Sequence, residues 1–483
     1  MSLYANNNSC NPLGGPLSTD PVLQNAKCTL GNLAQYAIKV TDAASAVAGV
    51  KFAKQKNIRL TVKNTGHDYL GRSMGRGSLA LWTHNLKETS IFQYKSKDYS
   101  GPAARVGAGV QVDELYQAAA NAGYRALGGS CPSVGAGGGW TQGGGHGPLS
   151  SAYGMGADQT LEFDVVTPQG DRVTASPTSH ADLYYALSGG GAGNFGVVLG
   201  MVVKVHKDGP VAGARLTFTH ANEHVFMQGV RAWIEHTQVL DTIPGFRSDV
   251  RMVKGIFSLA MATLPDETAS RVAGALTPFY DSLRKLNMTV LTNETTVHNS
   301  FVSHYNYYTG ADVYSRNVTV GSRLVSRSFV RDGAKVSKLV ATMKEWLNKP
   351  NALLVILGTN VSHARVGNAP GSNAVAKDWR DSLFLVNIGL VGDAHADWPE
   401  LRDDLASINA MQDQMRALAP ESGAYQNEAT FDNPNWRRDY YGDAYSKLLQ
   451  VKRKYDGQNV MWNRPAVGSD ALVLREDGRL CAA

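Results

Sequence analysis

The sequence predicts an α+β protein of two domains, and three observations carry that reading. At 483 residues the chain exceeds the size at which one hydrophobic core keeps growing. Helix-period and strand-period patterns both occur along its length, so neither an all-α nor an all-β class fits. Its texture also changes once: glycine is dense up to about residue 205 and thins out afterwards, where longer helical stretches alternate with strand-like runs. That change sets the boundaries at 1–205, 206–420 and 421–483, the last segment rejoining the first.

In order along the chain, Ala43, Val47 and Val50 recur at helical spacing, and Ile58, Leu60 and Val62 alternate as in a strand that runs into the polar turn Asn64–Arg72. A second strand through Ala104, Val106 and Ala108 leads into a helix with Val112, Leu115, Tyr116 and Ala119 on one face. Phe163–Thr167 and Arg172–Ala175 read as a hairpin around Pro168-Gln169-Gly170-Asp171, and Ala181–Leu187 as a helix. Leu353–Leu357 and Leu383–Ile388 are strand-like, and Tyr441, Ala444, Tyr445, Leu448, Val451 and Tyr455 define one amphipathic helix closed by Asp456-Gly457.

Composition excludes several classes. With 43% hydrophobic and 18% charged residues, and no apolar run long enough to span a bilayer, the chain reads as globular and non-membranous. A net charge of +6 without a basic cluster argues against a nucleic-acid partner. Four cysteines are too few for structural zinc, and no metal site is expected. Cys10 and Cys28 flank a Pro/Gly-rich loop, either as a disulfide staple or as two reduced thiols, and Cys481 has no evident partner. Sequons at Asn7, Asn287, Asn293, Asn317 and Asn360 suit a secreted glycoprotein. No signal peptide follows Met1, so secretion with a trimmed leader and an intracellular life both stay open. A monomer is expected.

Between residues 128 and 147 ten positions are glycine: 128, 129, 135, 137, 138, 139, 143, 144, 145 and 147. Cys131, Trp140 and His146 interrupt them, unlike a Gly/Ser linker, so this is a loop that hugs a ligand. Gly191-Ala192-Gly193-Asn194-Phe195-Gly196 satisfies GxGxxG. A helix precedes it, a strand follows it, and Arg215 sits near the acidic position, so a Rossmann site is the wrong reading.

Taken together, Lys63-Asn64-Thr65-Gly66-His67-Asp68-Tyr69, Gly128-Gly129-Ser130-Cys131-Pro132-Ser133-Val134-Gly135 and Gly143-Gly144-Gly145-His146-Gly147 resemble the FAD-binding domain of the vanillyl-alcohol-oxidase/berberine-bridge-enzyme (VAO/BBE) family, in the form with doubly attached flavin. Ala157–Leu161, Asp182–Gly191 and Phe195–Val198 continue the likeness, and Asn435-Trp436 through Val460 resembles the berberine-bridge element. The likeness is close over 30–205 and 420–465 and loose over 206–420. It implies a VAO-type FAD-binding fold assembled from both chain ends, with an antiparallel-sheet substrate domain over the flavin ring. It further implies covalent FAD, with His67 on the 8-methyl carbon and Cys131 on C6. An imidazole and a thiolate are the nucleophiles suited to those positions, and such substitution raises the ring's reduction potential.

The expected cofactor contacts are Asn64, Thr65, Gly66, Asp68, Tyr69 and Leu70, then Gly128, Gly129, Val134, Gly135, Gly138, Gly144 and His146, then Gly193, Gly196 and Val197. Their backbone amides would form an anion nest for the pyrophosphate. Val134 matches the family's gate beside the O2-reactive face, or is a packing valine. Tyr425, in Gly423-Ala424-Tyr425-Gln426-Asn427-Glu428, matches the position of a catalytic tyrosine; as a base it needs a depressed pKa, and Glu428 is the alternative. His298, His304, Tyr305, Tyr307 and Tyr308 line either the substrate cavity or a sheet face. The expected reaction is oxidation of an alcohol or activated C–H in a small molecule, with O2 reoxidising the flavin to give H2O2. A dehydrogenase that excludes O2 and a non-catalytic flavin scaffold are the competing readings.

Overall fold

The computed structural model describes residues 30–309, 318–392, 398–475 and 479–483. The Cys10–Cys28 pairing and the sequons at Asn7 and Asn317 lie outside them. Among the described residues no helix is long and apolar enough to cross a membrane.

Strands β1 (Tyr36–Lys39), β2 (Leu60–Lys63) and β3 (Leu79–Trp82) form a small parallel sheet in the order β1-β3-β2. The helix Ala43–Gln55 that joins the first two starts where the Asp42 carboxylate accepts the Ser45 amide at 2.7 Å, and it buries Ala46, Gly49, Val50 and Ala53 against that sheet. A second sheet contains β4 (Thr89–Lys95), β5 (Ser100–Gly107), β6 (Tyr124–Ala126), β7 (Thr160–Val166), β8 (Arg172–Ala175) and β9 (Val197–Lys207), in the antiparallel order β4-β5-β9-β7-β8, with β6 also on β9. Helix Val112–Asn121 packs Val112, Leu115, Tyr116 and Ala119 inward, the face its periodicity predicts.

From Val211 the chain builds one antiparallel sheet of seven strands: β10 (Val211–Thr219), β11 (Arg247–Val253), β12 (Ile256–Pro265), β13 (Thr289–His298), β14 (Val318–Ser326), β15 (Ala352–Gly358) and β16 (Ser382–Val391). Their order is β13-β10-β12-β11-β15-β16-β14. Helices Glu223–Asp241, Ala269–Lys285, Gly333–Leu347 and Trp398–Leu418 cover one face, and Trp233, Phe257, Leu276, Leu339, Leu354 and Ile388 share the core between them. The other face of this sheet bounds the site.

Residues 424–467 return to the first unit, where Tyr440, Tyr441, Leu448, Val451 and Val467 enter the same core as Leu183 and Phe195. Buried Lys452 locks this return: its Nζ donates to Asp456 at 2.7 Å and to the Asn194 carbonyl at 2.9 Å, in the GxGxxG loop.

Three expectations change. The single C-terminal helix is two, Trp436–Tyr441 and Tyr445–Asp456, because Gly442 takes φ +51° and breaks it. The His/Tyr run is neither sheet face nor substrate wall. His298 ends β13, and the rest lies on helix Phe301–Thr309, where Tyr305 packs edge-on to Tyr116 of the first unit. Burial and His298 push the His304 imidazole down to about 3, so it stays neutral there. Asn360 is also no glycan acceptor, being 9% exposed with its amide donating to the Asp241 carbonyl at 3.1 Å.

Candidate active site

A cavity separates the glycine-rich backbone of the first unit from the uncovered face of the seven-stranded sheet. The first wall is main chain. β2 ends at Lys63 and delivers the turn Asn64–Tyr69 to the cavity, and the Asn64 amide donates to the Ala108 carbonyl. A Cβ on Gly135 or Gly138 would stand 2.5 or 2.6 Å from that amide nitrogen, and one on Gly147 would meet the Gly128 carbonyl at 1.8 Å. These glycines are required by close approach of other groups, the opposite of a linker. The GxGxxG loop joins the same wall through Ala192, Gly193 and Gly196, held by the Gly191 amide on the Gln142 carbonyl at 2.9 Å.

His67 and Cys131 come from different elements and meet here. Both line the cavity, and both approach the Ser133 hydroxyl: His67 Nε2 at 2.9 Å and Cys131 Sγ at 3.5 Å. Cys131 is buried and His67 half-buried. Asp68, also on the cavity wall, pairs with Arg72 at 2.7 Å.

Opposite them stands Glu428, a quarter exposed. Its Oε2 accepts from Asn387 Nδ2 at 2.6 Å, and its Oε1 lies 3.6 Å from His146 Nε2. Burial alone would raise this carboxyl, but His146, Asn387 and Arg247 together hold it below its ordinary value of 4.5. It is a carboxylate with a free face toward the cavity. Tyr425 is the reverse: 2% exposed, its hydroxyl accepts from Asn427 Nδ2 at 2.9 Å, and burial with the Glu428 charge pushes its pKa far up. Tyr425 thus holds its proton more tightly than a free tyrosine, beside a charged Glu428. His146 packs against the Tyr425 and Trp379 rings, at 4.9 and 5.4 Å.

The sheet wall is mostly aliphatic. Val318 and Val320 of β14, Leu353, Val355 and Leu357 of β15, and Gly389 of β16 face the cavity, with Asn387 at its Glu428 end and Asp249 and Arg251 of β11 also on this wall. On β15 the alternate residues Leu354 and Ile356 point into the helix-covered core, so the strand is apolar on both faces.

Of the expected contacts, Asn64, Thr65, Gly66, Asp68, Tyr69, Gly129, Val134, Gly135, Gly138, His146, Gly193 and Gly196 line the cavity. Leu70, Gly128, Gly144 and Val197 do not. Leu70 and Val197 point into the core, Gly128 packs under the Tyr116 ring, and Gly144 faces Met155 and Val375. Sequence reasoning missed Ser133, Asn387, Asn427 and Arg72. Ser133 and Asn427 sit inside the quoted motifs beside Cys131 and Glu428, which was their available signal. Asn387 had none, because a strand residue reveals neither its face nor its neighbour across the sheet.

The donor set fits FAD. Buried polar atoms around the cavity (Asn64 Oδ1, Gln142 Oε1, Asn387 Oδ1 and Arg72 Nη1) have no protein partner, as expected where a ligand rich in donors and acceptors belongs. Gly135, Gly138, Gly139 and Gly193 present bare backbone to a flat ring or a pyrophosphate.

Comparison with known proteins agrees. Residues 34–176 match the FAD-binding domain family, and residues 424–468 match the berberine and berberine-like family. A VAO-type flavoprotein oxidase of Thermothelomyces thermophilus is 38% identical over 503 aligned residues, covering all of this chain and 83% of the relative. A bifunctional decalin synthase of Penicillium decumbens is 37% identical, with all of this chain and 83% of that protein covered. The crystal structure of a VAO-type flavoprotein from Myceliophthora thermophila superposes with TM-score 0.89 at 36% identity, over 95% of this chain and 84% of the other. A fold with both chain ends in the cofactor unit, a backbone cradle with an FAD-binding match and these relatives lead to one conclusion: the chain belongs to the VAO/BBE family of FAD-linked oxidoreductases.

Proposed function

We propose that the protein is an oxidase taking hydride from an alcohol or activated C–H carbon of a largely apolar small molecule, with FAD bonded to His67 and Cys131 and O2 as the final acceptor, giving H2O2. The observation that carries this reading is Glu428: a carboxylate held charged by His146 and Asn387, open to a cavity it shares with His67 and Cys131.

FAD supplies the two-electron acceptor; everything else falls to this chain's residues. The backbone wall of Gly135, Gly138, Gly139 and Gly193 would hold the ring. Glu428 accepts the substrate hydroxyl proton at its exposed oxygen as hydride leaves carbon, and Asn387 keeps the other oxygen fixed. Leu353, Val355, Val318 and Val320 bind the body of the substrate and exclude water. A sugar would need several donors and acceptors along this wall, and the outer strip from Val318 to Leu353 provides none from its side chains. Val134, half-buried and lining the cavity, supports access for O2. Exposed sequons at Asn287 and Asn293 support secretion.

Acid-denatured protein analysed by intact and peptide mass spectrometry should carry FAD mass on the peptides of both His67 and Cys131. Neutral alicyclic alcohols should then release H2O2 while oligosaccharides do not. Turnover with a dye but not with O2 would replace the oxidase by a dehydrogenase, and a flavin that no alcohol bleaches would leave a scaffold protein.

A further inference from the structure

Ser133 stands behind the two side chains proposed to carry the flavin and does not itself line the cavity. Its hydroxyl is nonetheless their shared neighbour, 2.9 Å from His67 Nε2 and 3.5 Å from Cys131 Sγ. The backbone around it is pinned. The amides of Val112 and Asp113, at the start of helix Val112–Asn121, donate to the carbonyls of Val134 at 2.9 Å and Pro132 at 3.1 Å, and Gln111 Nε2 donates to the Ser133 carbonyl at 3.0 Å. The hydroxyl is thus placed by two residues on either side of it that cannot drift. A serine hydroxyl both donates and accepts, so it can pass a proton without holding charge.

We propose that Ser133 is a positioning residue for flavin attachment, relaying the Cys131 thiol proton to His67 Nε2. This rests on the doubly attached flavin proposed above. A thiol bonds carbon as its thiolate, and a buried cysteine keeps its proton unless a partner takes it. In the relay the thiol proton passes to Ser133 Oγ as the Ser133 proton passes to Nε2. Protonation of Nε2 leaves Nδ1 as the nitrogen that sheds its proton and bonds carbon, so one transfer prepares both nucleophiles. At Cys131 the S–H bond and a ring C–H bond break and an S–C bond forms. At His67 an imidazole N–H bond and a methyl C–H bond break and an N–C bond forms. In each case one O2 takes up the two electrons and two protons released, leaving as H2O2.

The test is intact and peptide mass spectrometry of acid-denatured wild-type, Ser133→Ala and Ser133→Thr proteins sampled over the same expression time course. Total bound flavin and melting temperature are measured in parallel. Wild type should be doubly linked. Ser133→Ala should form the Cys131 bond at least about tenfold more slowly, as expected for loss of an acid–base partner, with the His67 bond slowed as well and total flavin retained. Ser133→Thr, which keeps the hydroxyl, should recover most of the rate. Normal linkage in Ser133→Ala would overturn the relay while leaving the attachment reading intact. Equal loss of flavin and stability in Ala and Thr variants would overturn it in favour of a packing role. Wild-type protein with no covalent flavin would remove the attachment reading, and the relay with it.

Discussion

The two walls of the cavity are made of different material. The cofactor wall is main chain: at Gly135, Gly138 and Gly196 a Cβ would strike Asn64 or Val165, so glycine there is dictated by local geometry. The substrate wall is side chain, contributed by β11, β14, β15 and β16 from positions as far apart as Asp249 and Gly389. A backbone surface is insensitive to which side chains surround it and suits a ligand that never changes. A side-chain surface can be altered one residue at a time without disturbing the strand beneath it, which suits a wall that sets specificity. Glu428 and Asn387 sit at the seam, one from each side, and the chemistry proposed here needs both.

The seam is therefore the place to break first. Glu428→Gln should lower kcat/KM by about 10²- to 10⁴-fold with the flavin still bound, as loss of a general base does. The sign of the pH dependence follows from the lowered pKa: the charged form is the base, so activity should persist as pH falls and be lost only below the ordinary carboxyl value of 4.5. Asn387→Ala, which removes a donor to the charged form, should move that acid limb upward. A limb unmoved by Asn387→Ala would place the base elsewhere and separate the walls chemically.

Next in size is the joint that holds the walls in register. Asp439 of the C-terminal element pairs with Arg323 of β14 at 2.7 Å, with side-chain exposures of 3% and 0%, and with Arg416 at 2.9 Å. Asp439→Ala leaves Arg323 buried and unpaired and should cost about 3–5 kcal/mol, read as a lower melting temperature or urea midpoint. A cost below about 1 kcal/mol would mean that the two sides are held by apolar contacts instead.

How much of this was readable in advance follows the same division. The cofactor wall was legible because its constraints are local. A glycine string interrupted by Cys131 and His146, and a strand running into Asn64–His67, state their purpose within a few residues. The failures there are matters of direction: Leu70 and Val197 lie in the right segments but point into the core, since neighbours in a chain need not share a face. The substrate wall was illegible because it exists only after strand pairing. Asn387 lies opposite Val355 across the β15–β16 register, a relation between residues 32 apart that periodicity does not report. β15 compounds this by being apolar on both faces, which erases the alternation that would reveal one wet side. For Tyr425, motif position says nothing about the burial and the Glu428 charge that raise its pKa.

A smaller effect tests whether the backbone wall is as intolerant as it looks. Gly147→Ala places a carbon 1.8 Å from the Gly128 carbonyl, which is backbone and must move. The expected cost is about 1–3 kcal/mol of stability, the range for overpacking, together with weaker flavin retention. Gly123→Ala is the control for crowding, because nothing lies within 4 Å of its added Cβ, although its φ of +80° still carries strain. If Gly147→Ala keeps stability and flavin as Gly123→Ala should, close approach does not explain the glycines.

The smallest expected change sharpens the other half of the comparison. Leu353 is half-buried at the outer end of β15, lines the cavity, and has Gly389 opposite it on β16, so its side chain projects over an open patch of sheet. Leu353→Ala removes three carbon atoms from that surface. At about 0.8 kcal/mol per buried methylene, and with only part of the side chain touching substrate, the loss should be near 1–2 kcal/mol. That corresponds to a rise in KM of about tenfold for an alicyclic alcohol. The melting temperature and covalent flavin should hardly move, since the core residues of this strand are Leu354 and Ile356 on the other face. An unchanged KM would mean that substrate sits nearer Asp249 and Arg251, and a polar body would then fit the wall better than an apolar one.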